Sequence, residues 1–373
     1  MHLTILQENL KRGLNLVGHA SSKNINLPIL NNVLIKADKG NIELIATNLE
    51  IGITYNLRGK IENSGQLTVD SKLITEYVSL LSGGEKVELS GDENGMEIIC
   101  GSYQTKMRGE SSKDFPLIPT LNKDGYFSCQ ANDFRQSLNS VIFATASNEN
   151  RLELSGVLFD FIGDKLNLVA TDSYRLAEKQ VSISSFNKSD SRVIVPAKTA
   201  QELLRILNGF SGDDLDTSND LKIYLSENQI LFAIDSVELV SRLINGQYPD
   251  YKQIIPAKSQ TEALVDCGEL IRAVKAAALF SRAGVNDISI NFSNKKIIIS
   301  SSSGASGESL IEIEAEVNGE DNNILVNYRY IIDGLNNIKT GLVGISILNS
   351  NSPCVFKSHK NDDYLYIVMP IKQ

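Results

Sequence analysis

One structural unit is written three times along this chain, and that repetition constrains the fold more than any other feature of the sequence. Leu10, Leu14 and Val17 are apolar residues at helical spacing, and the same pattern returns from Phe134 and from Leu270. The three patterns begin 124 and 136 residues apart. Each predicts an amphipathic helix near the start of a block, so we expect three similar domains in series.

A second helix is predicted later in each block. Each begins with the pattern Val-x-x-basic, followed by an apolar run at helical spacing. The three openings are Val69–Lys72, Val195–Lys198 and Val326–Arg329. Asp70, Ser71 and Asn327 are residue types favoured at the N-cap of a helix. Pro196 suits the first position of a helix.

Strand-like segments with alternating or continuous apolar residues separate and follow the helices. Between the helices, Ile42–Asn48 closely matches Leu166–Asp172, and Lys296–Ser301 occupies the same place in the third block. After the second helices, alternation with period two continues in each block. These later segments are Val87–Ile99, Leu221–Ile234 and Val343–Val355. The order predicts an α+β fold with helices on one face of antiparallel sheets.

Two turn-rich segments, Asp114–Pro119 and Tyr248–Pro256, resemble each other and separate the blocks. They predict domains at residues 1–122, 126–256 and 258–373. The alternative is an ordinary α+β protein with chance similarity, but four features recurring in the same order make that alternative weak.

Composition and cysteine spacing favour a cytoplasmic protein without a metal or a cofactor. Hydrophobic residues make up 42% of the 373 residues and charged residues 22%, which is typical of a globular protein. The scattered Cys100, Cys129, Cys267 and Cys354 lack metal-site spacing and suit free thiols in a reducing compartment. The opening residues lack the features of a secretory signal peptide.

Basic residues recur outside the apolar stripe of the predicted helices, although the net charge is −9. On the first helices they follow the core positions by one, two or five residues, roughly 100–200° around the axis. On the second helices they stand in the first turn, where a cation is mildly unfavourable but strengthens a phosphate site. We predict a surface that binds duplex DNA without reading its sequence. Its members are Lys11, Arg12, Lys72, Arg135, Lys198, Arg205, Arg272, Lys275, Arg329 and Lys339.

Four motifs resemble the bacterial DNA polymerase III beta subunit family, the beta sliding clamps. They are Asn26–Leu34, Ala170–Ala177, Tyr248–Tyr251 and Tyr366–Ile371, and the match runs along the whole chain in order. The resemblance implies three repeated clamp domains forming half of a closed ring, a head-to-tail homodimer that encircles duplex DNA. It also implies a non-catalytic processivity factor in DNA replication. The polymerase III catalytic subunit, the clamp loader and other proteins would dock on it through short peptides.

The resemblance further implies a peptide-binding groove between the second and third domains. By motif it includes Leu154, Thr171, Ser173, Tyr174, Arg175, Leu176, Pro249, Ile254, Val368, Met369, Pro370 and Ile371, with Asn327 and Tyr330 by a looser alignment. Such apolar, adaptable side chains suit peptide anchors. Tyr174 stands where the family often has His, and Gln253 replaces a position that is basic in some relatives, so peptide preference is expected to differ.

Charges alternate on two predicted strands near opposite ends of the chain. Lys106 and Arg108 lie in the first domain, whereas acidic residues occupy a strand in the third. Those acidic residues are Glu308, Glu312, Glu314 and Glu316. Complementary edge strands would join two copies head to tail, although ordinary exposed strand faces are the alternative. The family's interface lies at these ends, which implies apolar contacts from Met107 and Leu279.

Two rival functions were weighed. A phosphate-handling enzyme could use Asp172 and Arg175, but the three histidines (His2, His19 and His359) are isolated, and no nucleophile or metal motif is present. A repeat scaffold that binds peptide motifs but never meets DNA would explain the repeats. It would not explain the basic positions on both helices of every block.

Overall fold

The computed structural model describes residues 1–21, 26–38, 40–92, 94–147, 151–210, 220–338, 341–359 and 363–372. Six α-helices lie in this described part of the chain. They are α1 (Gln7–Val17), α2 (Ser71–Leu80), α3 (Ala131–Ile142), α4 (Ala197–Gly209), α5 (Cys267–Ala278) and α6 (Tyr328–Leu335). None of the described helices is long and apolar enough to cross a membrane.

The strands of the described residues are short and lie before, between and after the two helices of each third of the chain. They are β1 (His2–Leu6), β2 (Asn32–Asp38), β3 (Asn41–Thr47), β4 (Ile51–Leu57), β5 (Lys60–Asn63), β6 (Gly65–Asp70), β7 (Lys86–Asp92), β8 (Gly95–Cys100), β9 (Tyr103–Glu110), β10 (Tyr126–Gln130), β11 (Gly156–Ile162), β12 (Lys165–Thr171), β13 (Arg175–Ser182), β14 (Ser184–Phe186), β15 (Ser191–Pro196), β16 (Asp220–Leu225), β17 (Gln229–Ile234), β18 (Val237–Arg242), β19 (Thr261–Asp266), β20 (Asp287–Ser293), β21 (Lys296–Ser303), β22 (Gly307–Glu314), β23 (Glu316–Gly319), β24 (Asn322–Asn327), β25 (Leu342–Ile347), β26 (Cys354–Ser358) and β27 (Tyr364–Val368).

The helix predictions are confirmed, and the reason lies in the apolar stripes. Leu10, Phe134 and Leu270 are fully buried on α1, α3 and α5. The Asp70 side chain accepts a hydrogen bond from the N–H of Leu73 and caps α2, as predicted. The prediction that Pro196 opens its helix is wrong by one residue, because α4 begins at Ala197 and Pro196 ends β15.

The chain divides into two compact units. The first comprises residues 1–132, 184–189 and 201–243. It contains one fourteen-stranded sheet in the order β14-β10-β16-β17-β18-β4-β3-β2-β6-β9-β8-β7-β1-β5. Helices α1 and α2 pack against each other, and α1 also packs on β4. Their buried apolar side chains and the sheet face beneath them form the core of this unit.

The second unit comprises residues 133–183, 190–200 and 244–373. It contains a nine-stranded sheet in the order β15-β11-β12-β13-β27-β26-β25-β19-β23 and a four-stranded sheet in the order β22-β21-β20-β24. Helices α5 and α6 pack together, and α5 lies over β21 and β22. Glu316 lies on β23 in the larger sheet, so the prediction that it shares a strand with Glu314 on β22 is wrong.

The two large sheets are long because strands pair across the predicted domain boundaries. In the first unit β4 pairs antiparallel with β18, and in the second unit β13 pairs antiparallel with β27. The corresponding strands are β22 in the third domain and β9 in the first, and neither has a partner of this kind among the described residues. β22 is the edge of its four-stranded sheet, and β9 pairs with β6 only at residues 109 and 110, which leaves the edge at residues 103–108 open.

Candidate functional site

A tight turn between β12 and β13 organises the predicted groove. The Thr171 hydroxyl donates to the carbonyl of Arg175 at 2.6 Å. Oδ1 of Asp172 accepts from the N–H of Tyr174 and the N–H of Arg175 at 2.9 and 3.0 Å. Ser173 has a φ of +77°, which is uncommon for a residue other than glycine. The side-chain hydrogen bonds hold this conformation and fix the direction in which Tyr174 points.

The C-terminal segment of the chain runs beside this turn. Arg175 pairs with Val368 in the β13–β27 ladder, and the N–H of Met369 donates to the carbonyl of Tyr174 at 2.9 Å. The N–H of Ile371 donates to the carbonyl of Leu325 on β24 at 2.8 Å. Val368 is buried, while the three residues after it are half-buried. The structure therefore brings the turn and the tail together, as the resemblance implies.

A buried apolar cluster forms the floor below the turn. Leu154 and Leu176 belong to this cluster together with Tyr248, Tyr251 and other apolar side chains. Burial raises the pKa of the Tyr248 phenol, so this hydroxyl stays protonated. Leu154 and Leu176 are fully buried and shape the floor from below rather than presenting their own surface.

Exposed apolar side chains stand above that floor. Tyr174 is 64% exposed and Ile254 is 39% exposed, while Pro249 is half-buried. Leu152, which the sequence analysis did not select, is 61% exposed. Arg151, beside it, donates from Nη1 to the Ser173 hydroxyl at 3.2 Å. Leu152 belongs to the same rim, and only its position two residues before Leu154 could have indicated this.

Arg175, which the motif places in the groove, is held inside the site by contacts within the second unit. Its side chain is only 12% exposed. Nε donates to Asp172 at 3.0 Å, Nη1 to Asp333 at 2.5 Å and Nη2 to the carbonyl of Phe143 at 2.9 Å. The guanidinium also lies over the Tyr330 ring, 4.6 Å from its centroid. Burial alone lowers its pKa, but a neighbouring phenol and two carboxylates leave the pKa above its ordinary value.

Asn327 and Tyr330, the two less certain members of the groove, are also held by contacts within the second unit. The Asn327 side chain caps α6 by accepting from the N–H of Arg329. The carbonyl of Tyr330 accepts from the Tyr366 hydroxyl at 2.8 Å. Both residues therefore fix the position of α6 beside the Arg175 guanidinium.

Most of the predicted DNA-facing cations are available at the surface of their own unit. The exposed ones are Arg12, Lys72, Lys198, Arg272, Lys275 and Arg329, whereas Lys11 and Arg135 are half-buried. Arg12 also lies over the Phe210 ring at 5.1 Å, and Lys72 is 3.7 Å from Glu76 one turn along α2. Lys339 lies outside the described residues.

Arg205 departs from the prediction because its guanidinium is engaged within the first unit. It donates to Glu202 from Nε and Nη2, at 2.9 and 2.5 Å. It also donates to the carbonyls of Asn15 and Leu16 at the end of α1. A cation there satisfies carbonyls that lack partners within the helix. The prediction of a free, DNA-facing Arg205 is therefore wrong.

The two open strand edges carry opposite charges. Lys106 and Arg108 are exposed on β9, and Glu308, Glu312 and Glu314 are exposed on β22. Glu312 is held by Lys296 of the same sheet at 2.9 Å. Leu279 is 75% exposed, as an interface residue should be, and so is Leu310 on β22 at 67%, which the sequence analysis missed.

Met107 does not supply an apolar surface, contrary to the expectation. Only 6% of it is exposed, and it lies opposite Met96 within the sheet of the first unit. Alternation along β9 explains this, because neighbours of the exposed Lys106 and Arg108 must point to the opposite face.

Within the described residues, no group of three or more metal-binding side chains lies close enough to hold a metal ion. The site consists of an apolar floor, a turn held by hydrogen bonds and an exposed rim.

Comparison with known proteins gives one consistent result. Family models for the N-terminal, central and C-terminal domains of the DNA polymerase III beta subunit match residues 1–119, 128–250 and 252–372. The chain is 29% identical to the beta sliding clamp of Synechococcus elongatus and 26% identical to that of Staphylococcus epidermidis. All of the chain and 99% of each relative are covered.

Solved structures agree with the sequence matches. The DNA polymerase III beta subunit of Pseudomonas aeruginosa superposes with a TM-score of 0.94 at 26% identity over the full length of both chains. That of Thermotoga maritima superposes with a TM-score of 0.90 at 26% identity, covering 100% of this chain and 99% of that one. The chain therefore consists of three α+β clamp domains and belongs to the DNA polymerase III beta subunit family, the beta sliding clamps, which are non-catalytic processivity factors of DNA replication.

Proposed function

We propose that two copies of this chain close head to tail into a ring around duplex DNA and tether the replicative polymerase to it. The proposal rests on one observation: two of the three possible strand pairings between domains occur within the chain, and the third does not occur among the described residues. Two of the three domains have their fourth strand paired with the last strand of the next domain, as β4 with β18 and β13 with β27. The third domain offers β22 and the first offers β9, both with open edges, so a second copy completes the pattern.

The last strands of the three domains end alike, which provides a register for β9. Ile244 and Ile371 each donate an N–H to a carbonyl three residues before a helix. Glu110 at the end of β9 pairs with Thr68, which lies at the same distance before α2. Ile367 lies four residues before Ile371 on the last strand of the third domain, and Lys106 lies four residues before Glu110. Lys106 on β9 therefore corresponds to Ile367 on β27.

The opposing strand gives the second half of the register. In each domain, residues paired across neighbouring strands can be followed from the strand before the second helix to the fourth strand. In the second and third domains this series runs through Ile194, Leu158 and Val169, and through Leu325, Ser289 and Ser300. Two residues further along, Leu176 of β13 and Glu308 of β22 stand at matching places. Since Leu176 faces Ile367, we propose that Glu308 faces Lys106 of the second copy.

A charge swap tests this register. We expect Lys106→Glu and Glu308→Lys each to weaken the dimer severalfold in analytical ultracentrifugation, because each places like charges opposite one another. The double variant should recover much of the wild-type affinity. Reversal at Glu312 and Glu314 should have a smaller effect, because Glu312 already pairs with Lys296 in its own sheet. If the double variant dimerises no better than either single variant, the register is wrong.

The exposed cations on five helices support binding to duplex backbone without sequence readout. Phosphate contacts of this kind are weak and depend steeply on salt. We expect the loaded ring to stay on a nicked circular DNA and to leave the same DNA after linearisation, because a closed ring slides off an end. Equal retention on both forms, or a sequence-selective affinity that resists salt, would contradict the proposal. The rival scaffold that never meets DNA predicts retention on neither.

We further propose that the groove formed by the Thr171–Arg175 turn, the apolar floor and the Val368–Ile371 tail takes short peptides from the polymerase catalytic subunit, the clamp loader and other partners. Tail and turn are fixed by hydrogen bonds, so the groove is preorganised, which favours affinity. The double variant Met369→Ala with Pro370→Ala should abolish binding of polymerase-derived peptides in fluorescence anisotropy and leave dimerisation unchanged. Unchanged peptide affinity would rule out the assignment.

A further inference from the structure

The first unit contains a second copy of the turn that organises the groove. Oγ1 of Thr47 donates to the carbonyl of Ile51 at 2.8 Å and accepts from the N–H of Leu49. Oδ1 of Asn48 accepts from the N–H groups of Glu50 and Ile51. Leu49 has a φ of +76°, within one degree of the value at Ser173. The two turns therefore share one backbone conformation and one set of hydrogen bonds.

A strand end accompanies this turn in the same way. Ile51 pairs with Ser241, and the N–H of Arg242 donates to the carbonyl of Glu50 at 3.2 Å. These contacts match the Arg175–Val368 pair and the bond from Met369 to Tyr174. The linker after the first domain supplies Pro116, as the linker after the second supplies Pro249. The turn and the strand end beside it thus have counterparts in the first unit.

A small cavity of about 100 Å³ lies at this second turn. Its walls include Leu49, Ile51, Leu117, Ile118 and Arg242. That volume is below the roughly 300–1,000 Å³ of small-molecule sites, and it suits a single aliphatic side chain. Leu49 is 48% exposed, and Leu117 is 96% exposed. A leucine so exposed beside an apolar opening extends the surface that an extended peptide could cover.

The charge at the opening indicates what such a peptide carries. Arg242 is exposed, and its guanidinium has no hydrogen bond or ion pair with any described residue. At the equivalent position the groove has the uncharged Met369. The opening is lined by both apolar and polar side chains, including Glu50. A free guanidinium there favours a carboxylate, since it can bind one in bidentate fashion.

We infer that this surface, defined by the Thr47–Ile51 turn, Pro116–Ile118 and Arg242, is a second docking site for a short extended peptide. The peptide has one aliphatic side chain for the cavity and a neighbouring carboxylate for Arg242. The inference takes its analogy from the peptide binding proposed for the groove. Because only one anchor is accommodated, the affinity is expected to be in the millimolar range, weaker than at the groove.

The test uses the full-length protein with 13C-labelled isoleucine δ1 methyl groups and NMR titration. The probe is an acetylated and amidated tetrapeptide of sequence GDLG, with GNLG as the uncharged match. We expect the Ile118 and Ile51 methyl signals to shift and saturate with GDLG, and to need severalfold more GNLG. Arg242→Gln should remove this difference between the two peptides. The Ile254 and Ile371 signals report the groove in the same spectra.

Met369→Ala is the matched control, and it should leave the Ile118 response to GDLG unchanged. Three results would overturn the inference: no shift of Ile118 at 10 mM GDLG, equal responses to both peptides, or a shift that follows protein concentration alone, which would mark a contact between copies. If the Ile254 signal does not respond to polymerase-derived peptides, that result counts against peptide binding at the groove and not against the second site. The two proposals can therefore be rejected independently.

Discussion

The two turns Thr47–Ile51 and Thr171–Arg175 have the same backbone hydrogen bonds but are stabilised by different side chains. At the groove, the residue that closes the turn is Arg175, whose guanidinium joins two carboxylates, a carbonyl and two aromatic rings. At the first turn the same position is Ile51, a buried apolar residue. The Thr171–Arg175 turn is therefore held by a polar network, and the Thr47–Ile51 turn is held by apolar packing.

The residues after the two turns differ as well. Leu176 fills the floor of the groove, whereas Gly52 leaves room for the linker residue Ile118, whose Cδ1 lies 2.7 Å from where a Cβ on Gly52 would stand. The chain's own linker thus takes much of the space at the first turn. The comparison shows that the two turns share one backbone conformation. A few side chains determine how much space is left beside each turn and which charge lies there.

The largest expected effect is that of Arg175→Ala. Removing a buried, paired guanidinium leaves Asp172 without its partner and should lower the free energy of unfolding by about 3 kcal/mol or more. Ile51→Ala at the matching turn should cost about 2–3 kcal/mol, through loss of packing alone. Urea denaturation measures both. Arg175→Lys should fail to restore stability, because an ammonium cannot bond both carboxylates and stack on Tyr330; a full rescue by lysine would refute the role of the network.

The next effect is that of Gly52→Leu, which installs the residue found at the groove. The new side chain collides with Ile118 and should destabilise the first unit by about 1–3 kcal/mol through overpacking. Combining it with Ile118→Ala should recover part of that loss, since the smaller linker residue makes room. Thermal unfolding of the single and double variants measures the coupling, and additive losses would show that the two side chains do not share this space.

A smaller effect is expected from Tyr174→His at the rim of the groove. An imidazole gains a charge as the pH falls through about 6.5. Peptide affinity of the variant should therefore change about threefold between pH 7.5 and 5.5, with the wild type nearly constant. Glu50→His, at the matching place of the first turn, is the control, and it should leave peptide affinity at the groove independent of pH.

The smallest effect concerns Glu178 on β13, where β4 has Thr54 at the matching place. Burial raises the pKa of Glu178, and Asp160 adds to the shift, although Lys252 and Lys357 oppose it. A carboxyl with a raised pKa in the folded state stabilises the fold at low pH, and this contribution is lost as the pH rises through that pKa. Glu178→Gln should raise Tm by a few degrees at pH 8 and by less at pH 5. A gain that does not depend on pH would exclude this cause.

The sequence predicted the helices well, because apolar periodicity and capping chemistry act over short distances. Leu10, Phe134 and Leu270 lie in the core as expected, and Asp70 caps its helix. The failures depend on contacts distant in sequence. Arg205 reaches carbonyls almost 190 residues away, so no local pattern could show that it is engaged.

The same limit explains the errors within the predicted sites. Arg175 is found by its motif, but no local pattern could show that its guanidinium donates to Asp333, 158 positions further on. Met107 was expected to supply an apolar contact because the family's interface lies at this end of the chain. Alternation along β9 should have placed it in the interior. The domain limits 1–122, 126–256 and 258–373 remain predictions.

The boundary between the two compact units passes through the middle of the second repeat, and this affects any attempt to dissect the protein. The sequence repeat therefore does not coincide with a compact unit. A fragment of residues 126–256 would lose β4 from one sheet and β27 from the other, and so expose two raw edges that invite aggregation. The chain contains three similar modules, but the sheet of one module is completed by hydrogen bonds to a strand of the next, so the modules depend on one another.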